Sequence, residues 1–297
     1  MGELERIHLE IIRAVHEKGS LTSAAEALHL TQSALSHSMK KLESQLGVNL
    51  WLRDGRTLKF TEAGAWLLAS AQRLLPAWEQ LEERLAQLGR GERGTFKIGT
   101  ECHPCYKWLL KLTPAFLREW PEADLDVRQK FQFGGLGALF QHEIDLLLTP
   151  DPVFKPGLSY HPVYSYESVA VVGPQHPWRN WSQVSPFQFA REVLYTYPVD
   201  TDRLDIFTGF LTPAGVLPRR HVAVETTELL LQLTADGRGV AALPRWIVEE
   251  YAPEYGVTPI RLGDEGVFKH IYAGFREGEQ NLPYGQTFLE LARRLSS

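Results

Sequence analysis

Apolar residues near the N-terminus recur at helical spacing. Ile7, Ile11 and Val15, joined by Leu4 and Ala14, form a stripe along one helix, which Gly19 closes. Ser20 and Thr22 are suited to cap a second short helix reaching Leu28, with the small pair Ala24-Ala25 inside it. Thr31 then caps a third helix running to about Leu46, ended by Gly47. Trp51-Leu52-Arg53 and Thr57-Leu58-Lys59-Phe60 flank Asp54-Gly55-Arg56, a hairpin signature because Asp-Gly tolerates positive φ. From Thr61-Glu62 a much longer helix reaches about Leu88. In it Leu67, Ala71, Leu74, Trp78, Leu81, Leu85 and Leu88 keep a heptad spacing, and Pro76 predicts a kink or bend. No later helix shares that pattern, so pairing with a second copy of the chain is the preferred reading over packing within one domain.

Gly89-Arg90-Gly91-Glu92-Arg93-Gly94 reads as a hinge. Beyond it strands and helices alternate: strand Thr95–Thr100, helix Tyr106–Trp120, strand Leu125–Phe131, a short helix from Gly137, and the buried strand Ile144–Leu148. Strand Ser168–Val172, a helix near Arg203–Leu211, strand Val222–Glu225, helix Thr227–Asp236, strand Val240–Leu243 and helix Arg245–Tyr251 follow. This alternation predicts α/β layers on largely parallel sheets. The predicted division is residues 1–60, a small helical domain with a hairpin; 61–88, a long helix suited to pairing with a second copy; 89–94, the hinge; and 95–297, an α/β domain, which the resemblance described below implies is an effector-binding and oligomerisation domain.

Composition narrows the function mainly by exclusion. With 44% hydrophobic and 23% charged residues the chain has ordinary globular composition, enough for one large core and one small one. Its net charge of −5 gives no sign of nucleic-acid binding, so any such surface must be local. No apolar run approaches the roughly 18–20 residues of a membrane helix, and the start lacks a secretion signal, which predicts a cytoplasmic protein with no membrane partner. No Ser/His/Asp order, metal cluster or carboxylate pair stands at convincing spacing; no catalytic residue, metal site or cofactor is predicted.

The third helix carries the sharpest signal. On a helical wheel Leu35, Met39, Leu42 and Leu46 fall within about 40° of one another. Ser33, Ser36, His37, Lys40 and Ser44 lie on the opposite side, and Gln32 occupies the first turn. The outward flank therefore offers short donors and acceptors plus a cation, and no carboxylate, as a major-groove reader requires. A short helix and turn ahead of it complete a helix-turn-helix. Residues 29–60 hold Lys40, Lys41, Arg53, Arg56 and Lys59 against Glu43 and Asp54, a local excess of three positive charges. Arg53 and Arg56, on the hairpin, are placed to grip phosphates. A merely solvated helix face would show glutamates among the outward positions.

These residues resemble the DNA-binding region of LysR-type transcriptional regulators. The likeness covers Gly19 through Ala25, Thr31-Gln32-Ser33-Ala34-Leu35-Ser36-His37, Leu42-Glu43, Leu46-Gly47, Leu50 through Arg53 and Phe60-Thr61-Glu62-Ala63-Gly64. His37 departs from it, because many members carry arginine there. The resemblance implies an α/β protein with an N-terminal winged helix-turn-helix, a long linker helix and a two-lobed C-terminal domain like the periplasmic binding proteins. DNA contacts are then expected from Thr31, Gln32, Ser33, Ser36, His37, Lys40, Arg53 and Arg56. Partners would be a promoter operator in double-stranded DNA, a small-molecule effector and RNA polymerase. A dimer would form through Leu67, Leu74, Trp78, Leu81, Leu85 and Leu88, with a tetramer built on further pairing of effector domains.

Strand Thr95–Thr100 leads into Glu101-Cys102-His103-Pro104-Cys105 and then a helix, a junction whose free N–H groups suit a ligand carboxylate. Three readings compete here. The segment is a thioredoxin-like Cys-x-x-Cys redox pair, a zinc site in want of a fourth ligand, or a wall of an effector pocket with both thiols reduced and inert. The pocket is preferred and zinc comes last. Within the resemblance, this segment with Trp108-Leu109, Tyr197-Pro198-Val199 with Arg203-Leu204-Asp205, and Gly239 through Trp246 are similar to the branch that activates methionine-biosynthesis genes with homocysteine as co-effector. That likeness implies effector contacts from Thr100, Glu101, Cys102 and His103, from Thr149, and from Tyr197 and Pro198. Glu101 would meet the ligand ammonium, while Thr100 and the helix N–H groups would meet its carboxylate; a helix-dipole role for Glu101 is an equal alternative. Another small sulfur compound or amino acid is the alternative effector. Arg203 with Asp202 or Asp205 reads as a surface ion pair, and Gly134-Gly135-Leu136-Gly137 as a turn into a helix.

Overall fold

A computed structural model describes residues 4–54, 57–89, 94–129, 131 and 134–295, without the side chains of Arg53, Asp54, Thr57 and Leu88. The chain divides into two compact units, residues 1–94 and, 140–142 aside, residues 95–297.

In the first unit α1 (Arg6–Lys18), α2 (Leu21–Ala27) and α3 (Gln32–Leu46) precede a hairpin of β1 (Trp51–Asp54) and β2 (Thr57–Phe60), followed by α4 (Glu62–Gly89). The caps are local chemistry: the Ser20 hydroxyl accepts the Ser23 N–H, the Thr31 hydroxyl accepts the Ala34 N–H, and Gly19 and Gly47 end their helices in the left-handed region. The α1 stripe is wider than its spacing suggested. Leu9 and Ile12 join Ile11, Ala14 and Val15 in the core, whereas Leu4, ahead of the helix, is exposed. Leu46 is likewise exposed, because the last turn of α3 runs past the elements that cover Leu35, Met39 and Leu42. Strand register pairs Trp51 with Phe60 and Asp54 with Thr57; the predicted turn residues Gly55 and Arg56 lie outside the described residues. Gly64 lets α4 pass close to the wing, since a Cβ there would fall 1.8 Å from the Leu50 carbonyl oxygen.

Helix α4 continues through Pro76. Its seam divides into two stretches. Ala71, with Leu75, is buried in the core of its own unit and Leu67 packs against that core, whereas Leu74, Trp78, Leu81 and Leu85 are exposed. Arg6 and Arg13 of α1 reach α4 by ion pairs to Glu82 and Glu79, and the Arg6 guanidinium lies 5.7 Å from the Trp78 ring centre.

The second unit contains β3 (Thr95–Thr100), α5 (His103–Glu119), β4 (Asp124–Arg128), α6 (Leu136–Phe140), β5 (Leu146–Thr149), β6 (Leu158–Val172), β7 (Gln183–Val184), β8 (Val193–Thr196), β9 (Arg220–Ala223), α7 (Thr227–Ala235), β10 (Val240–Pro244), α8 (Arg245–Tyr255), β11 (Thr258–Leu262), β12 (Val267–Arg276) and α9 (Pro283–Leu295). One sheet runs β4-β3-β5-β12-β6-β10-β8-β9, with β11 paired to β6 and β7 paired to β11. Parallel pairs lie at both ends (β3 with β4 and β5, β8 with β9 and β10). Antiparallel β6 and β12 join them, so the sheet is mixed rather than largely parallel. The result is two lobes sharing these crossing strands.

Alternation explains the buried strands. In β5, Leu146 and Leu148 face a core with α5 and α9, while Leu147 faces Ala138 and Ile144. In the second lobe Val240 and Ala242 of β10 and Ala170 and Val172 of β6 serve one face; Ala241, Leu243, Val169 and Val171 serve the other. Both faces are covered, so these strands read as continuous apolar runs. Several predicted elements shift, among them the strand expected at Val222–Glu225, which is Arg220–Ala223, and that expected at Ser168–Val172, which begins at Leu158. Helix α5 starts at His103, not Tyr106, because Cys102 Sγ accepts the Cys105 N–H and Pro104 suits a first turn. The helix expected near Arg203–Leu211 is a 3-10 turn at Thr201–Arg203 followed by a π-helical turn at Ile206–Leu211.

Candidate DNA-reading face and effector cleft

Helix α3 buries Leu35, Met39 and Leu42 and exposes Thr31, Gln32, Ser33, His37, Lys40 and Lys41, with Ser36 half-buried. The Gln32 amide donates to Ser36 Oγ at 3.1 Å, which orders two of the polar groups one turn apart. The one carboxylate of α3, Glu43, is turned away from this flank. Its Oε1 accepts the Leu50 N–H at 2.6 Å, tying α3 to the start of the wing. The exposed flank is therefore free of anionic side chains, as a surface that approaches base edges and phosphates requires. Of the expected wing contacts, Arg56 and the Arg53 side chain lie outside the described residues.

In the second unit a cavity of about 90 Å³ lies between the lobes, where the ends of β3, β5 and β8 meet β12. Glu101, Cys102, Asp151, Tyr197, Arg203 and Lys269 are among its lining residues. Arg203 Nε and Nη2 each lie 3.1 Å from Asp151 Oδ2, and Nη2 lies 3.9 Å from Glu101. Lys269 Nζ sits 2.7 Å from Asp151 and 2.6 Å from Asp205. Burial alone would lower the Lys269 pKa, but the two carboxylates outweigh it and hold the ammonium above its ordinary value. Burial raises the Asp205 pKa despite Lys269, and pushes the Tyr197 and Tyr166 phenols well up, so both phenols stay neutral. Among the described residues that line the cavity, three carboxylates face two cations, a formal excess of one negative charge. A second link between the lobes runs from His103 Nδ1 to Thr227 Oγ1 and on to the Tyr197 hydroxyl, each contact 2.7 Å.

Residues 7–65 match the family described as bacterial regulatory helix-turn-helix protein, lysR family, and residues 89–297 match the LysR substrate binding domain. The chain belongs to the LysR family of transcriptional regulators. It is 38% identical to the transcriptional regulator MetR of Escherichia coli over 98% of this chain and 90% of that one. MetR of Haemophilus influenzae is 32% identical, over 99% and 94% of the two chains. The regulatory domain structure of MetR from Neisseria meningitidis superposes with a TM-score of 0.60 at 32% identity, covering 68% of this chain and 93% of that chain. The LysR-family relatives are transcriptional regulators, and this chain is a regulator closely resembling MetR rather than an enzyme.

In this LysR-family regulator Glu101, Cys102 and Tyr197 line the cavity; Thr100, His103, Thr149 and Pro198 are not among its lining residues. Thr100 and Thr149 are buried behind it. Glu101 accepts the Gly135 N–H and the Thr149 hydroxyl, both at 2.5 Å, one on each carboxylate oxygen, which orients its carboxylate at the cavity wall. Arg203 pairs with Asp151, and Asp205 with Lys269, among the residues lining the cleft, where a surface pair of Arg203 with Asp202 or Asp205 was expected. Cys102 and Cys105 are joined by a disulfide, which replaces the expected pair of reduced thiols. Asp151 and Lys269 were not legible as site residues. Their pairing spans 118 positions, and each sits alone in its local sequence. Among the described residues no group of three or more His, Cys, Asp or Glu side chains converges on a metal position, and no helix is long and apolar enough to cross a membrane.

Proposed function

We propose that this regulator activates methionine-biosynthesis genes in the cytoplasm, with homocysteine as co-effector held between the lobes. The observation that carries the DNA-reading role is the exposed flank of α3, whose Gln32, Ser33, His37 and Lys40 point outward while its only carboxylate is spent on Leu50. The likeness to MetR along nearly the whole chain supports the gene set. The cleft supports an amino-acid ligand: its surplus carboxylate charge suits an ammonium, Arg203 and Lys269 suit a carboxylate, and Cys102 offers a soft contact to sulfur.

Two chains pair through the exposed Leu74, Trp78, Leu81 and Leu85 of α4 and present two copies of α3 to half-sites on one operator. Effector domains pair further into tetramers, and the activated complex meets RNA polymerase. Effector binding and operator binding are then coupled, each altering the other by the same factor.

The test is fluorescence anisotropy with a methionine-gene promoter against a random duplex of equal length, with and without homocysteine, over a salt series. Salt-dependent binding with promoter preference is expected. Equal affinity for both duplexes rejects the reading. Calorimetry with homocysteine, methionine and cysteine separates effectors; no heat with homocysteine and clear heat with another ligand reassigns the co-effector.

A further inference from the structure

The effector reading leaves the Cys102–Cys105 disulfide without a task, although it stands in the wall of the proposed ligand site. The two sulfurs are not equivalent. Cys102 is half-buried and lines the cavity, whereas Cys105 is fully buried in the core with Trp108 and Leu112. A molecule in the cleft reaches Cys102 and not Cys105.

We propose that the cleft captures a small amino-acid thiol covalently, by thiol–disulfide exchange at Cys102. This rests on the reading of the cleft as the effector site. The incoming thiol loses its proton to solvent, and its thiolate attacks Cys102 Sγ. The new bond joins ligand sulfur to Cys102, the Cys102–Cys105 bond breaks, and its electron pair leaves on Cys105 Sγ. No external oxidant or reductant is consumed.

Three features favour this direction. Access selects the sulfur attacked. Cys105 is the third residue of α5, a helix of 17 residues, so the leaving thiolate forms at the positive helix end. The same cavity holds carboxylates and cations suited to the ammonium and carboxylate of the ligand, which holds a bound thiol beside the disulfide rather than leaving the encounter to collision. Capture takes place in the turn that carries His103, and so in the turn hydrogen-bonded to Thr227 on the other lobe.

The experiment uses the full chain with its disulfide intact, incubated with homocysteine, quenched in acid, alkylated and mapped by mass. One homocysteine on Cys102 and one alkyl group on Cys105 are expected; an adduct on Cys105 overturns the proposal. Because Cys105 can attack the adduct again, Cys105→Ser is treated with homocystine, whose disulfide the Cys102 thiolate opens without a competing partner. Modification on the order of tenfold faster than with oxidised glutathione, and slowed by excess methionine, is expected for a seated ligand. Equal rates with both disulfides, or no effect of methionine, overturn it. Calorimetry of homocysteine on a Cys102→Ser, Cys105→Ser double variant keeps the two readings apart. Heat there together with no adduct in the other arms leaves the effector assignment standing and sinks the capture.

Discussion

Arg203 of the second lobe meets Asp151 of the first through two of its nitrogens, each 3.1 Å from the same carboxylate oxygen. Lys269, on a strand that both lobes share, holds Asp151 from another side at 2.7 Å. Asp151 is thus where two cations from separate parts of the fold converge, and the lobes come together around it.

Replacing that carboxylate should therefore loosen the effector domain. Asp151→Asn leaves Arg203 and Lys269 facing an amide; the side chains are partly exposed, so solvent screens part of the loss, and a stability decrease of about 1–2 kcal/mol is expected. Urea melts of the full chain measure it. Adding Lys269→Met should cost less than the sum of the single changes, because the two residues share one network. Strict additivity would show that the contact contributes little.

The polar flank of α3 gives a paired prediction. His37→Ala should relax base preference, with a lost contact costing about 1–3 kcal/mol at one position of the operator. Lys40→Ala should weaken all duplexes alike and reduce the salt slope by roughly one. Anisotropy titrations over a salt series distinguish them. A position-specific loss at Lys40 with an unchanged slope would reassign it from phosphate to base.

How far the sequence led depends on the range of the interactions. In the first unit helices are set by neighbours a few residues away: Ser20 and Thr31 cap, Gly19 and Gly47 stop, and Leu35, Met39 and Leu42 turn inward together. End positions such as Leu4 and Leu46 were misassigned, since burial there depends on whether another element extends far enough to cover them, and the spacing alone missed the buried Leu9 and Ile12 of α1. In the second unit β6 was legible only over its apolar end. Its first part, Leu158–Glu167, mixes aromatic and polar residues and carries Pro162 at a register shift opposite Ile271 and Tyr272, which breaks the strand signature. The cleft was half legible. Cys102 and Tyr197 lie in motifs, whereas Asp151 and Lys269 become site residues only when β12 is laid beside β5.

Histidine burial predicts a pH dependence with a definite sign. Burial lowers the pKa of His8 below its ordinary 6.5, so between that value and the lower folded one the unfolded chain binds more protons than the folded chain. Stability contributed by neutral His8 is complete above pH 6.5 and declines as the pH falls below it. His8→Gln isolates the effect, because a glutamine at this position of the capping box can still accept the Glu5 N–H that His8 Nδ1 accepts at 3.0 Å. Melts at about pH 7.5 and about pH 5.5 should show the native chain losing more stability than the variant. A gap between the two that does not change with pH would remove the role of His8 titration.

The exposed stretch of α4 yields the last prediction. Leu74, Trp78, Leu81 and Leu85 stand 46–58% exposed along one seam of a helix whose neighbouring Ala71 and Leu75 are fully packed. Exposed apolar side chains at single positions are ordinary, but four at heptad spacing on a helix already anchored at its other end form a surface suited to a second copy. Leu81→Asp puts a charge at the middle of that seam. Because Leu81 is exposed rather than part of the buried core of its own unit, folding should be spared while the paired state is lost. Light scattering should then show a mass reduced from that of the native assembly to what effector-domain pairing alone holds together, with unchanged helical circular dichroism. Operator affinity should fall, because two linked α3 helices bind far more tightly than one. Ala86→Asp, exposed on the same helix but off the seam, is the control for charge and helix propensity. An unaltered mass for Leu81→Asp, or an equal loss for both variants, would mean that this seam does not hold two chains together.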